Sequence, residues 1–383
     1  MTSNPSIGIV GAGLSGLVLA RVLQVHGVAA TVFELDVSAH ARHQGGSLDM
    51  HEESGQLALR HAGLYEQFRH LTHPQGETMR VLDKAGRVFI HHAPEGDYNG
   101  RPEIDRTVLR DLLIDALDPG TIVWGRKLTG VRPLGGGRHE LAFAGGGSAS
   151  VDLLVGADGT WSRVRPLVSQ ATPRYCGITH FEFGLSNTLE QHPESAALVG
   201  PGSVFALSDN KAILGHGGTH LHLAPSMRVP EGWLDGRGVD WSDSAAARAA
   251  LLEEFADWSP GLRDLIRNCD DPIVARKIYA LPIGHTWSRV PGVTLVGDAA
   301  HVMSPYAGEG ANLAMLDATE LALALVEHPG DVETALTRYE TAMFPRAAAA
   351  AEASAQGLDL CFAADAPRRI VEFFTPAAAV DRR

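Results

Sequence analysis

Three glycines near the amino end have the types and spacing that bind a dinucleotide. Gly11, Gly13 and Gly16 form the pattern GxGxxG. They follow the apolar run 6–10 and precede residues 17–24, in which apolar side chains recur at helical spacing. In a βαβ unit the first glycine permits a tight turn, the second lets the backbone approach a pyrophosphate, and the third packs helix against strand. The segment therefore predicts a dinucleotide-binding site.

An acidic residue follows where the ribose of such a ligand would lie. Glu34 stands about 20 residues beyond the glycine pattern, after the β-rich run 29–33. A carboxylate at this place accepts hydrogen bonds from the ribose hydroxyls and disfavours a 2′-phosphate. We therefore predict FAD or NAD at this site rather than NADP.

Two later segments place an aspartate at the end of an apolar run. Asp158 lies in GADGTWSRVR, and Asp298 lies in GDAAH. The ends of strands in an α/β sheet present groups to a ligand. Either aspartate, taken alone, could instead cap the helix that follows it. Both interpretations are open at this point.

Together the three motifs resemble those of the group A flavoprotein monooxygenases, the family of p-hydroxybenzoate hydroxylase. A similarity to the Tet(X)-type tetracycline destructases is carried by residues 44–51, 101–110 and 299–312 and by Tyr339-Glu340 and Met343-Phe344. The resemblance runs nearly end to end, but it is thin from 169 to 271. It implies an α/β fold in which a Rossmann-like FAD-binding domain of the p-hydroxybenzoate hydroxylase type is joined by a second, β-sheet substrate domain and a C-terminal helix.

The pattern of the chain suggests how these domains are divided. Glycine triplets around 138–155 indicate an antiparallel meander, and short strands with one acidic helix near 246–257 follow. The predicted bounds are 1–70, 100–168 and 273–326 for a discontinuous FAD-binding domain, 71–99 and 169–272 for the substrate domain, and 327–383 for the C-terminal helix and tail. We expect the tail to bridge the two domains; a dimerisation helix is the alternative.

The resemblance implies a role for each residue of the cofactor site. Glu34 would bind the adenosine ribose, Arg110 would contact the phosphate or ribityl region, and Asp298 would hold the ribityl hydroxyls. The predicted cofactor-binding residues are Gly11, Gly13, Gly16, Glu34, Asp49, Arg106, Arg110, Asp158, Asp298, Pro305, Gly308, Gly310 and Asn312. Arg106 could equally be a solvated charge at a helix start.

The loop after Asp298 would line the isoalloxazine ring. Pro305, Gly308 and the backbone from Gly310 onward are implied to contact the flavin, with Asn312 in the same loop. Glu309 stands where the family usually has glutamine. The resemblance therefore leaves the hydrogen bonds of this loop to flavin open.

The carry-over to a substrate site is uneven. His222 falls where the destructases have a substrate-binding histidine, and Phe205 would lie in the same pocket wall. Gly184 and Ser203 take the positions of the glutamine and arginine that hold the substrate there. Both polar anchors are missing, so tetracycline is less firmly indicated than flavin chemistry.

The histidines of this region could also serve a metal. His220 and His222 lie two apart on a predicted strand and would share one face. No acidic or cysteine partner stands at ligand spacing, so we predict no metal. Substrate contact by His222 and plain polar surface are the other interpretations.

The resemblance implies a monooxygenase whose flavin carries the difficult chemistry, with no acid–base side chain required. Reduced FAD would form a C4a-hydroperoxide with O2 and hydroxylate a polycyclic phenol or enol, with NADPH or NADH as a transient reductant. The leading substrate is a tetracycline-type antibiotic, which would make the protein an antibiotic-resistance enzyme. The alternatives are a natural-product tailoring hydroxylase or Baeyer–Villiger monooxygenase on another polyketide, an FAD-binding reductase without oxygen transfer, an NAD dehydrogenase, and a non-enzymatic flavin sensor.

Composition excludes several other classes. The 383 residues carry a net charge of −13, which disfavours a nucleic-acid partner. No apolar run reaches the roughly 18–20 residues that cross a bilayer, and no signal peptide is recognisable. Cys176, Cys269 and Cys361 lie far apart and suggest free thiols in a reducing compartment. We therefore expect a cytoplasmic monomer that binds a small molecule.

Overall fold

The structure, a computed structural model, divides into two compact units. It describes residues 5–41, 46–72, 78–93, 100–218, 220–270 and 272–374. Unit 1 consists of Met1–Thr72, Ile104–Arg174 and Tyr279–Ser354, and unit 2 consists of His73–Glu103, Tyr175–Ile278 and Ala355–Arg383. Residues 327–354, predicted above as part of a separate tail, belong to unit 1.

The described chain contains strands and helices in alternation near its amino end and longer runs of strands in its middle. The strands are β1 (Ile7–Val10), β2 (Ala30–Phe33), β3 (Ser47–Asp49), β4 (Met79–Leu82), β5 (Val88–His92), β6 (Glu103–Asp105), β7 (Ile122–Val123), β8 (Leu128–Gly135), β9 (Arg138–Phe143), β10 (Ser148–Val151), β11 (Leu153–Gly156), β12 (Arg174–Leu185), β13 (Ser203–Ser208), β14 (Lys211–His216), β15 (Leu221–Arg228), β16 (Val274–Ala280) and β17 (Val293–Leu295). The helices are α1 (Leu14–Val25), α2 (Leu57–His61), α3 (Tyr65–Leu71), α4 (Arg106–Asp115), α5 (Thr188–Gln191), α6 (Pro193–Val199), α7 (Trp233–Gly236), α8 (Ser244–Glu254), α9 (Pro260–Arg267), α10 (Asp298–His301), α11 (Gly310–Glu327), α12 (Val332–Cys361) and α13 (Arg368–Phe374).

Unit 1 is built on a parallel sheet in the order β17–β11–β1–β2–β7. Strands β1 and β11 are buried at every residue, as expected of strands covered on both faces. Helices α1 and α11 pack against each other in the same core. The carboxyl ends of these strands lie at one edge of the sheet, which is where open α/β sheets bind ligands. The predicted βαβ unit at the amino end is confirmed.

The predicted antiparallel meander is present as β8, β9 and β10. It ends at Val151, and the next strand, β11, joins the parallel sheet instead. The sequence placed the whole meander within 138–155; its first strand, β8, lies before that range, and the change of sheet at β11 was not predicted. Asp152 lies between β10 and β11, at the point where the chain passes from one sheet to the other. Its Oδ2 accepts hydrogen bonds from the backbone N–H and the hydroxyl of Ser6, each at 2.8 Å.

Unit 2 is built on a seven-stranded sheet in the order β16–β12–β15–β14–β13–β4–β5. Alternate residues of a strand point to opposite faces. One face packs against α8 and α9, and its core includes Phe181, Phe183, Leu223, Leu251 and Leu265. The residues between these apolar positions therefore occupy the opposite face of the same sheet.

The first half of α12 is tied to the end of β17. The hydroxyl of Tyr339 donates to the carbonyl of Leu295 at 2.9 Å. Glu340 Oε1 accepts from the Thr294 hydroxyl at 2.7 Å and from the Trp287 indole N–H at 3.0 Å. These buried contacts are a physical reason for the Tyr339-Glu340 pair noted in the sequence, because they hold the strand that leads to Asp298.

The tail and the cysteines show how these helices are packed. The alanine run 347–351 lies inside α12, with Ala347 buried and Ala349 exposed. Cys269 and Cys361 are buried and Cys176 is half-buried, all as free thiols. Across the described ranges, no helix is both long enough and apolar enough to cross a membrane.

Candidate active site

The glycine loop connects β1 to α1 and leaves the start of the helix open. Gly11 has φ +107°, and its N–H donates to the carbonyl of Phe33 at 2.9 Å. Gly13 is the N-cap of α1 and brings no side chain to cap it. A Cβ placed on Gly13 would meet no described atom within 4 Å. The N–H groups of the first helical turn are therefore accessible to an anion, which helix N-termini bind well.

Glu34 lies directly after β2 and is only 4% exposed. Its Oε2 accepts a hydrogen bond from the N–H of Ala12 at 2.5 Å, and its Oε1 accepts from the N–H of Asp36 at 2.9 Å. The carboxylate thus holds the glycine loop against the end of β2. Its predicted contact with a ribose stays a prediction.

Arg110, on α4, reaches the same loop from the other side. It is 3% exposed; its Nε donates to the carbonyl of Ala12 at 3.2 Å and its Nη1 to that of Ala39 at 2.7 Å. Its Nη2 is buried and has no hydrogen-bond partner among the described residues. A buried donor without a partner is costly, so this nitrogen points to a ligand acceptor such as a phosphate.

Arg106 is the first residue of α4, and its side chain is half-buried. Its N–H donates to the carbonyl of Gly46 at 3.0 Å. Asp105 caps the helix by accepting from the N–H groups of Thr107 and Val108. The predicted cofactor contact of Arg106 stays a prediction.

Asp49, at the end of β3, is joined to the Gly308 loop through Asn312. Asn312 is buried; its Nδ2 donates to the carbonyl of Asp49 at 2.8 Å, and its Oδ1 accepts from the N–H of His51 at 2.9 Å. The same Nδ2 lies 3.4 Å from the carbonyl oxygen of Gly308. The sequence places these segments about 260 residues apart, and one amide side chain connects them. Gln44 and Gly45 of the same predicted motif lie outside the described residues.

Glu309, which stands where the family usually has glutamine, lies beside His51. The sequence analysis did not single out His51. His51 is fully buried, with its Nε2 2.9 Å from Asp49 Oδ2 and its Nδ1 3.6 Å from Glu309 Oε2. The imidazole therefore lies between two carboxylates. A histidine two residues after Asp49 was the only signal in the sequence.

The third motif presents its aspartate to solvent at the edge of the parallel sheet. Asp298 begins α10, separated from the end of β17 by two residues, and is exposed. Pro305 and Gly308 are exposed in the loop that follows, with Gly308 at φ +69°. Gly310 begins α11, and the side chain of its N-cap residue, Glu309, makes no capping hydrogen bond. This edge thus presents a carboxylate and a second open helix start.

Asp158 behaves differently from Asp298. Its Oδ1 accepts from the hydroxyl of Ser162 at 2.5 Å, and its Oδ2 accepts from the N–H of Arg163 at 2.7 Å. Burial raises the pKa of Asp158 above its ordinary value. The carboxylate therefore stabilises its own turn, in line with the capping interpretation; its contact with the cofactor stays a prediction.

Arg165 is a site residue that sequence reasoning missed. It is 3% exposed, and its Nε donates to the carbonyl of Ala299 at 2.8 Å. Its Nη2 donates to the carbonyls of Thr160 at 2.9 Å and Asp298 at 3.2 Å. The guanidinium thus joins the second motif to the third. An arginine seven residues after Asp158 was the available signal, but nothing in the sequence showed that it is buried.

A buried ionic network lies behind the Asp298 motif. His301 Nε2 lies 2.5 Å from Asp317 Oδ2, and Arg346 Nη2 donates to Asp317 Oδ1 at 3.0 Å. Burial opposes charge on both members of the first pair, but their mutual attraction outweighs it. The pKa of His301 is raised and the pKa of Asp317 is lowered, with Arg346 also favouring the carboxylate.

The Asp317 network predicts a large and pH-dependent contribution to stability. Replacing Asp317 with asparagine should lower the free energy of unfolding by about 3–5 kcal/mol near pH 6, because it leaves buried His301 without its counter-charge and removes one of the two carboxylates that pair with half-buried Arg346. The contribution of Asp317 is present above its unfolded pKa and is lost as pH falls through the depressed folded pKa. The contribution of His301 to stability is present below its unfolded pKa and is lost as pH rises through the raised folded pKa.

Urea unfolding of the two proteins between pH 3 and pH 9 checks this prediction. Glu327→Gln is the control, because Glu327 pairs with Arg338 in a bridge where both side chains are more than half exposed. Such surface pairs contribute about 0–1 kcal/mol. A loss in Asp317→Asn as small as that of the control would contradict the assignment.

The residues at the edge of the parallel sheet fit FAD. The unpartnered Nη2 of Arg110 and the open start of α1 suit a pyrophosphate. The exposed carboxylate of Asp298 can accept from hydroxyls of a ribityl chain. The N-terminus of α11 can stabilise negative charge on a flavin ring.

In unit 2 the four predicted substrate residues lie on one face of the sheet. Gly184 in β12 pairs with His222 in β15, His222 pairs with His216 in β14, and His216 pairs with Ser203 in β13. Directly opposed residues of neighbouring strands point the same way. Phe205 lies two residues after Ser203 and therefore shares this face. The face is the one opposite α8 and α9.

The prediction for His220 is corrected by the structure. His220 lies in a bend before β15, which begins at Leu221, so the two histidines are not neighbours on one strand. Their rings instead meet edge to face with centroids 4.8 Å apart, and the Ser186 hydroxyl lies 3.1 Å from His220 Nδ1. Among the described residues, no group of three or more histidine, cysteine or acidic side chains could hold a metal.

A parallel sheet with a glycine loop, an acid after its second strand and an exposed aspartate at its edge defines a dinucleotide-binding α/β protein. Comparison with known families gives the particular class. The chain belongs to the family described as FAD binding domain, whose model matches residues 5–212 and 286–354. Its fold is of the p-hydroxybenzoate hydroxylase type, its cofactor is FAD, and it is a flavoprotein monooxygenase. The resemblance to group A flavoprotein monooxygenases is confirmed.

Individual relatives cover nearly the whole chain. The monooxygenase penA of Penicillium thymicola is 32% identical over 408 residues, which cover 90% of this chain and 93% of penA. A variant of HpxO from Klebsiella pneumoniae, complexed with FAD, is 22% identical, covers 97% of this chain and 93% of its own, and has a TM-score of 0.80. The tetracycline destructase Tet(51) is 21% identical, covers 96% and 94%, and has a TM-score of 0.71. At these identities the two structures show a shared fold.

Proposed function

We propose that this monooxygenase uses NAD(P)H and O2 to hydroxylate a polycyclic phenolic or enolic compound. The observation that carries the substrate class is the row His222, His216 and Ser203 across the sheet of unit 2. These side chains are polar, stand on neighbouring strands and face the same way. They suit a flat molecule with several oxygen atoms along one edge, and Phe205 on the same face suits its rings.

Bound FAD supplies the activation of oxygen, and the side chains supply binding and orientation. Arg110 and the start of α1 would hold the pyrophosphate, Glu34 the ribose, and Asp298 the ribityl hydroxyls. The network of Asp49, Asn312 and the Gly308 loop would keep the isoalloxazine-binding backbone in one conformation. The predicted positions of Arg106, Asp158, Pro305 and Gly310 in this cofactor site are part of the same proposal.

Within this class, a tetracycline-type antibiotic is the leading substrate. Support comes from His222, on the face of the unit 2 sheet opposite α8 and α9, and from the shared fold with Tet(51). A second candidate is a natural-product tailoring oxygenase on another polycyclic compound. Two observations favour it: Gly184 and Ser203 offer no amide or guanidinium, and the relative penA reaches 32% identity.

Aerobic incubation with FAD, NADPH and tetracycline, followed by mass spectrometry, tests the proposal. We expect tetracycline to gain one oxygen atom, and we expect the gain to require both protein and NADPH. Oxygen consumption is measured in parallel. Slow NADPH oxidation without a change in tetracycline would remove tetracycline and favour the second candidate. Flavin reduction that never couples oxygen uptake to any product would favour an FAD reductase instead.

A further inference from the structure

A small cavity in unit 1 has a buried histidine, His301, in its wall. The cavity has a volume of about 10 Å³, which is room for one water molecule. Its lining is otherwise mostly apolar, and Ala348 and Ala351 of α12 contribute to it. Pro282 and Gly284 also line the cavity and are exposed, so it lies close to the surface. The small side chains of the alanine run leave this space beside His301.

His301 has a nitrogen that is left for this cavity. Its side chain is 5% exposed, and its Nδ1 is buried without a hydrogen-bond partner among the described residues. Its Nε2 lies 2.5 Å from Asp317 Oδ2, and Asp317 does not line the cavity. Burial lowers the pKa of His301, but the attraction of Asp317 outweighs this effect and the pKa is raised. In the protonated ring both nitrogens are donors, so Nδ1–H needs an acceptor.

His285, the other histidine of the cavity wall, already uses both of its ring nitrogens. Its Nδ1 lies 2.7 Å from the carbonyl oxygen of Ala300, and its Nε2 lies 2.8 Å from the hydroxyl oxygen of Ser169. A carbonyl only accepts, so Nδ1 carries the proton and Nε2 accepts from Ser169. Burial favours this neutral ring by lowering the pKa of His285. Of the two histidines, His301 is therefore the one that can bind a ligand in the cavity.

The charges around His301 favour a neutral ligand. Asp317 pairs with His301 and with Arg346, and Arg346 also pairs with Glu320, so two cations and two anions balance within this network. A bound anion would add a buried charge without a counter-charge, and burying such a charge is costly. A cation would be repelled by the imidazolium. Water is neutral, accepts a hydrogen bond and fits the volume of the cavity.

We propose that the cavity is a binding site for one water molecule, which accepts a hydrogen bond from His301 Nδ1–H and connects the buried imidazolium to solvent. The other hydrogen bonds of this water are made with solvent beside Pro282 and Gly284, where the wall is exposed. The water completes a network in which Asp317 Oδ2 also accepts from the N–H of Gly297, in the turn after β17, at 3.4 Å. The site does not depend on the substrate of the proposed function.

Ala351→Leu tests the site, because filling an empty apolar cavity stabilises a protein, whereas displacing an ordered water leaves its partner unsatisfied. In urea unfolding at pH 6 we expect the equilibrium constant for unfolding to rise at least about tenfold, as for a buried donor that loses its acceptor. The same substitution in a His301→Gln background separates this loss from a steric clash. The glutamine amide can still donate to Asp317, but no Nδ1–H remains. In that background the constant should rise less than about threefold.

Ala349→Leu is the matched control, because Ala349 lies on the same helix, is exposed and does not line the cavity. Alanine and leucine are both strong helix formers, so the unfolding constant should change less than about twofold. A crystal structure of the wild type needs no variant, and we expect it to show one water about 2.7–3.2 Å from His301 Nδ1. An empty cavity or a bound anion in that crystal structure would overturn the proposal. So would an Ala351→Leu protein more stable than the wild type, or equal losses with and without His301→Gln.

Discussion

Replacing Gly13 with alanine is expected to abolish tight FAD binding and to leave the apoprotein folded. A Cβ at this position meets no described atom within 4 Å, and the backbone, at φ −78°, suits any residue. The methyl group would occupy the space in which a pyrophosphate approaches the start of α1. We expect the Kd for FAD to rise at least about 100-fold, which corresponds to about 2.7 kcal/mol.

Gly16→Ala is the matched comparison. Unlike Gly13→Ala, it is expected to destabilise the apoprotein. A Cβ on Gly16 would lie 2.0 Å from the carbonyl oxygen of Gly11, so helix and loop cannot keep their present distance. Overpacking of this kind costs about 1–3 kcal/mol and sometimes more. Urea unfolding of the apoproteins and FAD titration by flavin fluorescence separate the two effects. A Gly13→Ala protein that binds FAD as tightly as the wild type would place the pyrophosphate elsewhere.

Arg110→Met is expected to weaken FAD binding by about 10- to 100-fold. The substitution removes the buried Nη2 that has no partner among the described residues, and a hydrogen bond to a charged group contributes about 1.5–3 kcal/mol. It also removes the donors to the carbonyls of Ala12 and Ala39, so some loss of apoprotein stability is expected as well. Arg110→Lys should restore part of the affinity, because a lysine retains the charge but not the fork of donors.

Arg106→Met is the control for Arg110, since both side chains belong to α4. Arg106 is half-buried, and the interpretation as a helix-start charge predicts less than a fivefold change in the Kd for FAD. Equilibrium dialysis of the apoproteins with FAD measures both variants under one condition. If Arg106→Met causes the larger loss, the phosphate contact belongs to Arg106, and the buried donor of Arg110 has a structural role.

The missing anchors at Gly184 and Ser203 have a structural counterpart. Ser203 cannot reproduce an arginine, but it joins Glu103 to His216 on the same face. Because neither residue carries an amide or a guanidinium, assays of the proposed function should include other polycyclic phenols and enols beside tetracycline.

Local sequence determined the parts of the protein that depend on short-range geometry. The pattern Gly11, Gly13 and Gly16 predicted β1, α1 and β2, because a tight turn between a buried strand and a helix admits few residue types. The same holds for Asp298 after β17, where an apolar strand must end before a carboxylate can face solvent. The family membership followed from these motifs.

Only the tertiary structure decided which distant residues act together. Arg165 and His51 are polar residues with no periodic signal, and their importance comes from burial beside a partner far along the chain. Asp158 and Asp298 look alike in sequence, yet the first is used by its own turn and the second is exposed. Packing determines whether a carboxylate must satisfy buried donors or is left for a ligand, and a one-dimensional pattern does not record packing.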